Sequence, residues 1–190
     1  MRIMLIPPLH HYPQYPAPLS FSDWPMGFAY LAAALRKAGH QVEAANVNNI
    51  PGFVDGLTMM KAVITTRLRE FQPELIGLGG LCTDFLCIRD AMGIIRAQCK
   101  TPIVLGGGIV TNDAEWIFNH LKPDFAIVGE GEETLVKLAN WIKDEQSCIL
   151  NDLTDGTWGG VESPIVLPPG YIPNLYFWEG DSRRKKSLRK

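Results

Sequence analysis

The chain has no apolar run approaching the roughly 20 residues that a membrane-spanning helix needs. Its first residues, Met1-Arg2-Ile3-Met4-Leu5-Ile6-Pro7-Pro8, are too short for a signal peptide and offer no small-residue cleavage site. Cysteine is scarce. Cys82, Cys87, Cys99 and Cys148 match no zinc or disulfide spacing, and are expected to be free thiols in a reducing cytoplasm. No excess of one charge exists either. The formal net charge of −2 gives no pull toward nucleic acid or an anionic membrane. The exception is the basic end, Arg183, Arg184, Lys185, Lys186, Arg189 and Lys190. No aromatic platform accompanies it, so it reads as a solvated tail or a segment leading elsewhere rather than a nucleic-acid patch. A P-loop, G-x-x-x-x-G-K-[ST], is also absent.

What is present is an ordinary core and an unusual edge. Hydrophobic residues make up 46% of the 190 and charged residues 20%, enough for one domain with a core and room for an appendage. Three apolar runs end in small residues just before a helical pattern: Leu75–Thr83 (LIGLGGLCT), Pro102–Thr111 (PIVLGGGIVT) and Asp124–Thr134 (DFAIVGEGEET). In an open parallel sheet such strand ends lie side by side on the edge where ligands bind. Glycine at three neighbouring ends clears side chains from one surface, so that a ligand can lie against backbone. The turn-forming alternative for these glycines is the weaker one when three adjacent ends share it.

Strands are expected at Arg2–Ile6, Gln41–Val47, Leu75–Leu78, Ile103–Leu105 and Phe125–Val128. Helices are expected at Met26–Ala38, near Gly56–Phe71, Asp84–Gln98, Asp113–Leu121 and Glu132–Asp144. Five βα units with right-handed crossovers predict an α/β, doubly wound, flavodoxin-like or Rossmann-like parallel sheet of five strands, order 2-1-3-4-5. Residues 1–145 form the expected binding domain. Residues 146–190 form an extension or linker toward an absent domain, with short strands at Val161–Leu167 and Leu175–Trp178 as a β appendage. The long proline- and aromatic-rich loop from Leu9 to Pro25 is a functional candidate by its length. Phe28, Leu31, Ala32 and Leu35 share one face of the first helix, Tyr30 is expected in the core, and Trp24 is open between core and ligand.

Several doubly wound functions fail on the residues. A nicotinamide site needs G-x-G-x-x-G after the first strand, where Pro7-Pro8-Leu9-His10 stands. A phospho-receiver needs an aspartate ending the third strand, which ends in Gly79-Gly80-Leu81. Flavodoxin-type flavin binding needs a Ser/Thr-rich loop after the first strand, also missing. A flavodoxin-like domain for another nucleotide stays as a weaker third possibility.

Gly79-Gly80-Leu81 and Gly106-Gly107 stand where the cobalamin (vitamin B12)-binding domain family carries Ser-x-Leu and Gly-Gly, at a similar spacing, and the chain resembles that family. The resemblance implies a corrin across the C-terminal edge of the sheet and a dimethylbenzimidazole tail in a slot beside the third and fourth strands. A β-carbon at Gly107 is expected to meet that tail. The family's serine is here Gly79, which has no hydroxyl to offer the base. The family's Asp-x-His-x-x-Gly is missing too, because neither His10 nor His11 fits it, so the implied cobalamin lacks that histidine beneath its cobalt. His10 and His11 are carried as cofactor contacts near the cobalt face, with exposed loop positions as the alternative. The remaining candidate contacts are Gly79, Gly80, Leu81, Cys82, Thr83, Gly106, Gly107, Gly108, Gly129, Glu130 and Gly131. Cys82 has a structural thiol as its bland alternative. Helix capping by Glu132, Glu133 and Thr134 accounts for part of the acidic run, at about 0.3–1 kcal/mol per carboxylate.

A narrower resemblance rests on Pro25-Met26-Gly27-Phe28-Ala29-Tyr30-Leu31-Ala32-Ala33, on Gly39-His40-Gln41-Val42, on Gly129–Thr134 and on Ile172-Pro173-Asn174-Leu175-Tyr176. It is to the N-terminal domain of cobalamin-dependent radical SAM enzymes. It implies a parent methyltransferase that also uses S-adenosylmethionine and a [4Fe–4S] cluster, with a C-terminal radical SAM domain or partner protein facing the corrin. The cluster needs Cys-x-x-x-Cys-x-x-Cys, which Cys82 and Cys87 do not supply. This chain alone therefore does not run that reaction. A stand-alone corrinoid carrier or sensor is the alternative.

Overall fold

The computed structural model describes residues 1–9, 25–48, 50, 55–154, 175–179 and 184–187. Seven strands form one sheet among these residues: β1 (Arg2–Ile6), β2 (Gln41–Ala44), β3 (Leu75–Gly79), β4 (Ile103–Gly106), β5 (Phe125–Ile127), β6 (Leu175–Glu179) and β7 (Arg184–Ser187). Their order is β2-β1-β3-β4-β5-β6-β7. The first five are parallel, in the predicted order 2-1-3-4-5.

Six helices connect or flank them: α1 (Met26–Lys37), α2 (Gly56–Phe71), α3 (Phe85–Arg96), α4 (Gly108–Asn112), α5 (Ala114–Leu121) and α6 (Glu132–Thr154). Two are longer or more divided than their patterns predict. The segment before Asp113 is already helical as α4, and Asp113 restarts the chain by accepting the Trp116 N–H (3.1 Å) at the head of α5. Helix α6 continues past Asp144 to Thr154. No described helix is long and apolar enough to cross a membrane.

The predicted C-terminal β element is built into the main sheet. β6 pairs antiparallel with β5, and β7 pairs antiparallel with β6. A parallel sheet ending at β5 would leave a row of unpaired backbone groups, which β6 satisfies, while fully buried Leu175 joins the core. Its second strand is Arg184–Ser187, within the segment read as a solvated tail; basic residues are at home on an edge strand. The expected strand Val161–Leu167 lies outside the described residues, as do Trp24 and most of the loop after Leu9.

Two apolar layers sandwich the sheet because side chains alternate along each strand. Met4, Ile6, Ile76, Leu78, Ile103, Leu105 and Ala126 face α2, α3 and α5. Ile3, Leu5, Leu75, Val104 and Ile127 face α1 and α6, meeting Leu35, Leu135, Leu138 and Ile142. Leu31 and Phe28 pack at the margin of this second layer. Tyr30, expected in the core, is 59% exposed, because it points off the α1 face that carries Phe28, Leu31 and Leu35.

Two loop-to-strand joints repeat one device. Gln72 and Lys122 end α2 and α5 in the left-handed conformation (φ 50° and 51°), each followed by a proline and an acid. Glu74 then accepts the Arg2 N–H (2.6 Å) and Asp124 the Ile103 N–H (2.7 Å), so each carboxylate fixes the start of a neighbouring strand.

Candidate functional site

Alternation also decides where the sheet is bare. Positions 75, 77 and 79 of β3 point to the α1/α6 layer, as do 104 and 106 of β4. Three of these five are Gly77, Gly79 and Gly106. In the register Leu5 stands beside Gly77, Gly77 beside Val104, and Gly79 beside Gly106. A strip of glycine thus runs down one face of the sheet to its C-terminal edge, with the Leu5 side chain leaning over Gly77, where a β-carbon would stand 2.7 Å from Leu5 Cδ2.

That strip floors a cleft of about 240 Å³. Its walls are Leu5, Val104 and Ile127 from the sheet, Phe28 and Leu31 from α1, and Leu135 from α6. Gly27 lies at the head of α1, and Gly129, Glu130, Gly131 and Glu132 form the turn from β5 into α6. The volume is below the roughly 300–1,000 Å³ that encloses a whole drug-sized ligand. A cleft of this volume has room for a part of such a molecule rather than the whole of it.

The glycines around it do two different jobs. Some make the backbone fit itself. A β-carbon on Gly79 would stand 2.7 Å from the Gly106 carbonyl oxygen, and one on Gly107 (φ +86°) would stand 2.9 Å from that of Gly80. Gly80 has no room beside the Asp84 carboxylate, which accepts the Leu81 N–H (2.8 Å). Others keep space open. A β-carbon on Gly27 or Gly129 would meet nothing within 4 Å, and one on Gly106 only the Ile127 carbonyl oxygen at 3.8 Å. The expectation for Gly107 is corrected here: its bareness answers to the Gly80 backbone. The positions where a side chain would fill open cleft are Gly27, Gly106 and Gly129.

Of the predicted contacts, Gly79, Gly80, Gly106, Gly107, Gly129, Glu130 and Gly131 line this one cleft. Leu81, Cys82, Thr83 and Gly108 do not. Leu81 is 62% exposed on the rim toward α3 and α4, and Cys82 Sγ accepts from the Asn112 amide (3.3 Å) there. His10 and His11 lie outside the described residues. The sequence reading missed Gly77, Gly27 and the apolar walls. Gly77 carried a signal, a glycine within a strand two residues from another on the same face. Phe28 and Leu31 read simply as core.

The rim is held by a short polar chain. The Gly129 N–H donates to Thr111 Oγ1 (3.1 Å), and the Thr111 hydroxyl donates to the Gly107 carbonyl (3.1 Å). The Ile109 N–H donates to the Gly80 carbonyl (3.0 Å), tying the turns after β3 and β4 together. Behind the rim, the Cys87 thiol is pushed up from its ordinary range, chiefly by burial. The Leu9 N–H, which donates to its sulfur (3.2 Å), opposes this, and Asp84 and Asp90 add to it.

Fold and cleft together define an open α/β protein with a cleft at the carboxyl ends of its strands, the edge where ligands bind in such folds. A family model for the B12 binding domain matches residues 22–139, and the chain belongs to that family. The solved structure of the radical S-adenosylmethionine methyltransferase TsrM from Kitasatospora setae, with cobalamin and a [4Fe–4S] cluster bound, is similar in fold. Its TM-score is 0.66 at 18% identity, over 97% of this chain and 28% of that one. The methanol:cobalamin methyltransferase complex MtaBC from Methanosarcina barkeri is similar at TM-score 0.50 and 15% identity, over 73% of this chain and 45% of that one. The uncharacterized protein MJ1620 of Methanocaldococcus jannaschii is 35% identical over 65 residues, which is 34% of this chain and 12% of that protein. The chain therefore spans only a minor part of the relatives it matches.

Proposed function

We propose that this chain holds cobalamin, with the nucleotide base in the cleft between β3, β4, α1 and α6 and the corrin outside, across the C-terminal edge. The observation that carries this reading is the strip of Gly77, Gly79 and Gly106, roofed by Phe28, Leu31 and Leu135 and open at the rim. Its lining and size suit the base: bare backbone on one side, hydrocarbon walls, and a volume too small for a corrin. Bound cobalamin supplies a cobalt centre that can carry a one-carbon group between partners. The chain's own part is to bury the base, hold the strand ends through Thr111 and Asp84, and leave the corrin's outer face free.

On this reading the chain is the cobalamin-holding module of a cobalamin-dependent radical SAM enzyme of the methyltransferase kind. S-adenosylmethionine and the cluster belong to a separate domain or partner protein. Family membership and the order of the Pro25–Ala33, Gly129–Thr134 and Ile172–Tyr176 segments support it. A stand-alone carrier is the competing possibility. A reading frame that continues past Lys190 into a Cys-x-x-x-Cys-x-x-Cys segment favours the enzyme, and a stop there favours the carrier. Cobalamin binding is tested by mixing the purified protein with hydroxocobalamin, recording the visible spectrum and passing the mixture over a gel-filtration column. A shifted spectrum with co-elution is expected; unchanged absorbance and separate elution would sink the reading.

A further inference from the structure

We propose that the cleft discriminates among corrinoids by the polarity of the nucleotide base, admitting benzimidazole-type bases and rejecting purines. This rests on the reading that the chain holds cobalamin, and takes it a step further, to which cobamides it accepts.

The cleft offers little to a polar edge. Its walls, Leu5, Phe28, Leu31, Val104, Ile127 and Leu135, are hydrocarbon. At Gly79 the floor cannot acquire a hydroxyl by a small change, because a β-carbon there would stand 2.7 Å from the Gly106 carbonyl oxygen. Two of the carbonyls at the rim are already engaged. The Gly80 carbonyl takes the Ile109 N–H, and the Gly107 carbonyl takes the Val110 and Thr111 N–H groups and the Thr111 hydroxyl. Among the described lining residues the polar side chains are Glu130, exposed, and Glu132, half-buried, both on the turn into α6. Both belong to the mouth, and as carboxylates both accept.

A benzimidazole joined to its ribose has one further ring nitrogen, and the rest of its edge is C–H or methyl. Adenine has a similar size but adds two ring nitrogens and an exocyclic amine. Inside the cleft those groups leave water without side-chain partners, and a buried polar group left unpaired is penalised far more than a paired one is rewarded. The ring nitrogens, being acceptors, gain nothing from Glu130 and Glu132. Volume does not separate the two bases, so polarity does.

The test measures retention of three corrinoids by the purified chain, by equilibrium dialysis with visible absorbance: hydroxocobalamin, its adenine-containing counterpart, and cobinamide, which has no base. The expected result is that hydroxocobalamin binds tightest, with the adenine form weaker by about ten-fold or more, the scale of one unpaired buried group. Cobinamide is also expected to bind more weakly than hydroxocobalamin. Equal or tighter binding of the adenine form would overturn the selectivity while leaving cobalamin binding intact. Cobinamide binding as tightly as hydroxocobalamin would overturn it as well, by placing the base outside the cleft. Retention of none of the three would remove the cobalamin reading, and the selectivity with it.

Discussion

Gly107 sits so close to Gly80 that a β-carbon on it would stand 2.9 Å from the Gly80 carbonyl oxygen and 3.1 Å from its nitrogen. Both neighbours are backbone, tied in place by the Ile109 N–H on the same carbonyl. With φ at +86°, an L side chain at Gly107 is strained as well as crowded. Gly107→Ala is expected to destabilise the fold by about 1–3 kcal/mol, the range for a residue forced into such a conformation. Urea unfolding measures this. A larger residue there reports on folding before it reports on ligand, so Gly107→Leu is a poor probe of the cleft; an unchanged midpoint for Gly107→Ala would contradict the close approach.

Gly27 is the better probe. It lies in the first turn of α1, lines the cleft, and a β-carbon on it would meet nothing within 4 Å. Leucine is a stronger helix former than glycine by up to about 1 kcal/mol. Gly27→Leu is therefore expected to keep or raise the melting temperature while lowering hydroxocobalamin retention by about ten-fold or more, since an overfilled cleft cannot relax cheaply. Full retention of cobalamin by a well-folded Gly27→Leu protein would mean that the base goes elsewhere.

Thr111 links the ends of β4 and β5 through one hydroxyl, accepting from Gly129 and donating to Gly107. Thr111→Val keeps the shape and removes both bonds. An exposed pair of this kind contributes about 0.5–1.5 kcal/mol per bond. The expected outcome is a modest loss of stability with a larger loss of ligand retention, because the Gly129–Gly131 turn is part of the cleft mouth. Thr111→Ser should restore both. A serine variant behaving like valine would argue that the methyl group, rather than the hydroxyl, matters.

His40 is 5% exposed, and among the described residues neither ring nitrogen has a hydrogen-bond partner within bonding geometry. Burial pushes its pKa down from 6.5, the N-terminal ammonium adds to this, the Asn140 amide opposes it, and Lys143 adds a little more. A depressed pKa means that below pH 6.5 the unfolded chain takes up protons that the folded chain refuses. Stability is then full above 6.5 and declines as pH falls below it. Melting temperature followed across that range should drop in the native protein and drop less in His40→Gln. Parallel curves for the two proteins would show that other groups carry the acid sensitivity.

Much of the molecule was legible in the residues. β1 to β5 announce themselves as short β-branched or aliphatic runs, and glycine or proline punctuates nearly every one of them. The strand order follows from chirality and short connections, which leave few alternatives. Gly79, Gly80, Gly106 and Gly107 were legible as the ends of two neighbouring strands, and all four line the cleft. Less legible were β6 and β7. Their partner is the outer edge of β5, and the basic composition of Arg184–Ser187 reads the same on an edge strand as in a tail. Tyr30 was misplaced although its helix carried the mark: it lies off the face that Phe28, Leu31, Ala32 and Leu35 share.

The residues themselves determined an open parallel sheet and the glycine-rich rim at its C-terminal edge, because both depend on local propensity, alternation and the short reach of βα connections. Only the assembled molecule decided which glycines serve the backbone and which serve the cleft. That distinction lies in distances between residues far apart in the chain, Gly79 to Gly106 and Gly80 to Gly107 on one side, Gly27 facing open space on the other. A glycine reads identically in both roles, and only the atoms opposite its missing side chain tell them apart.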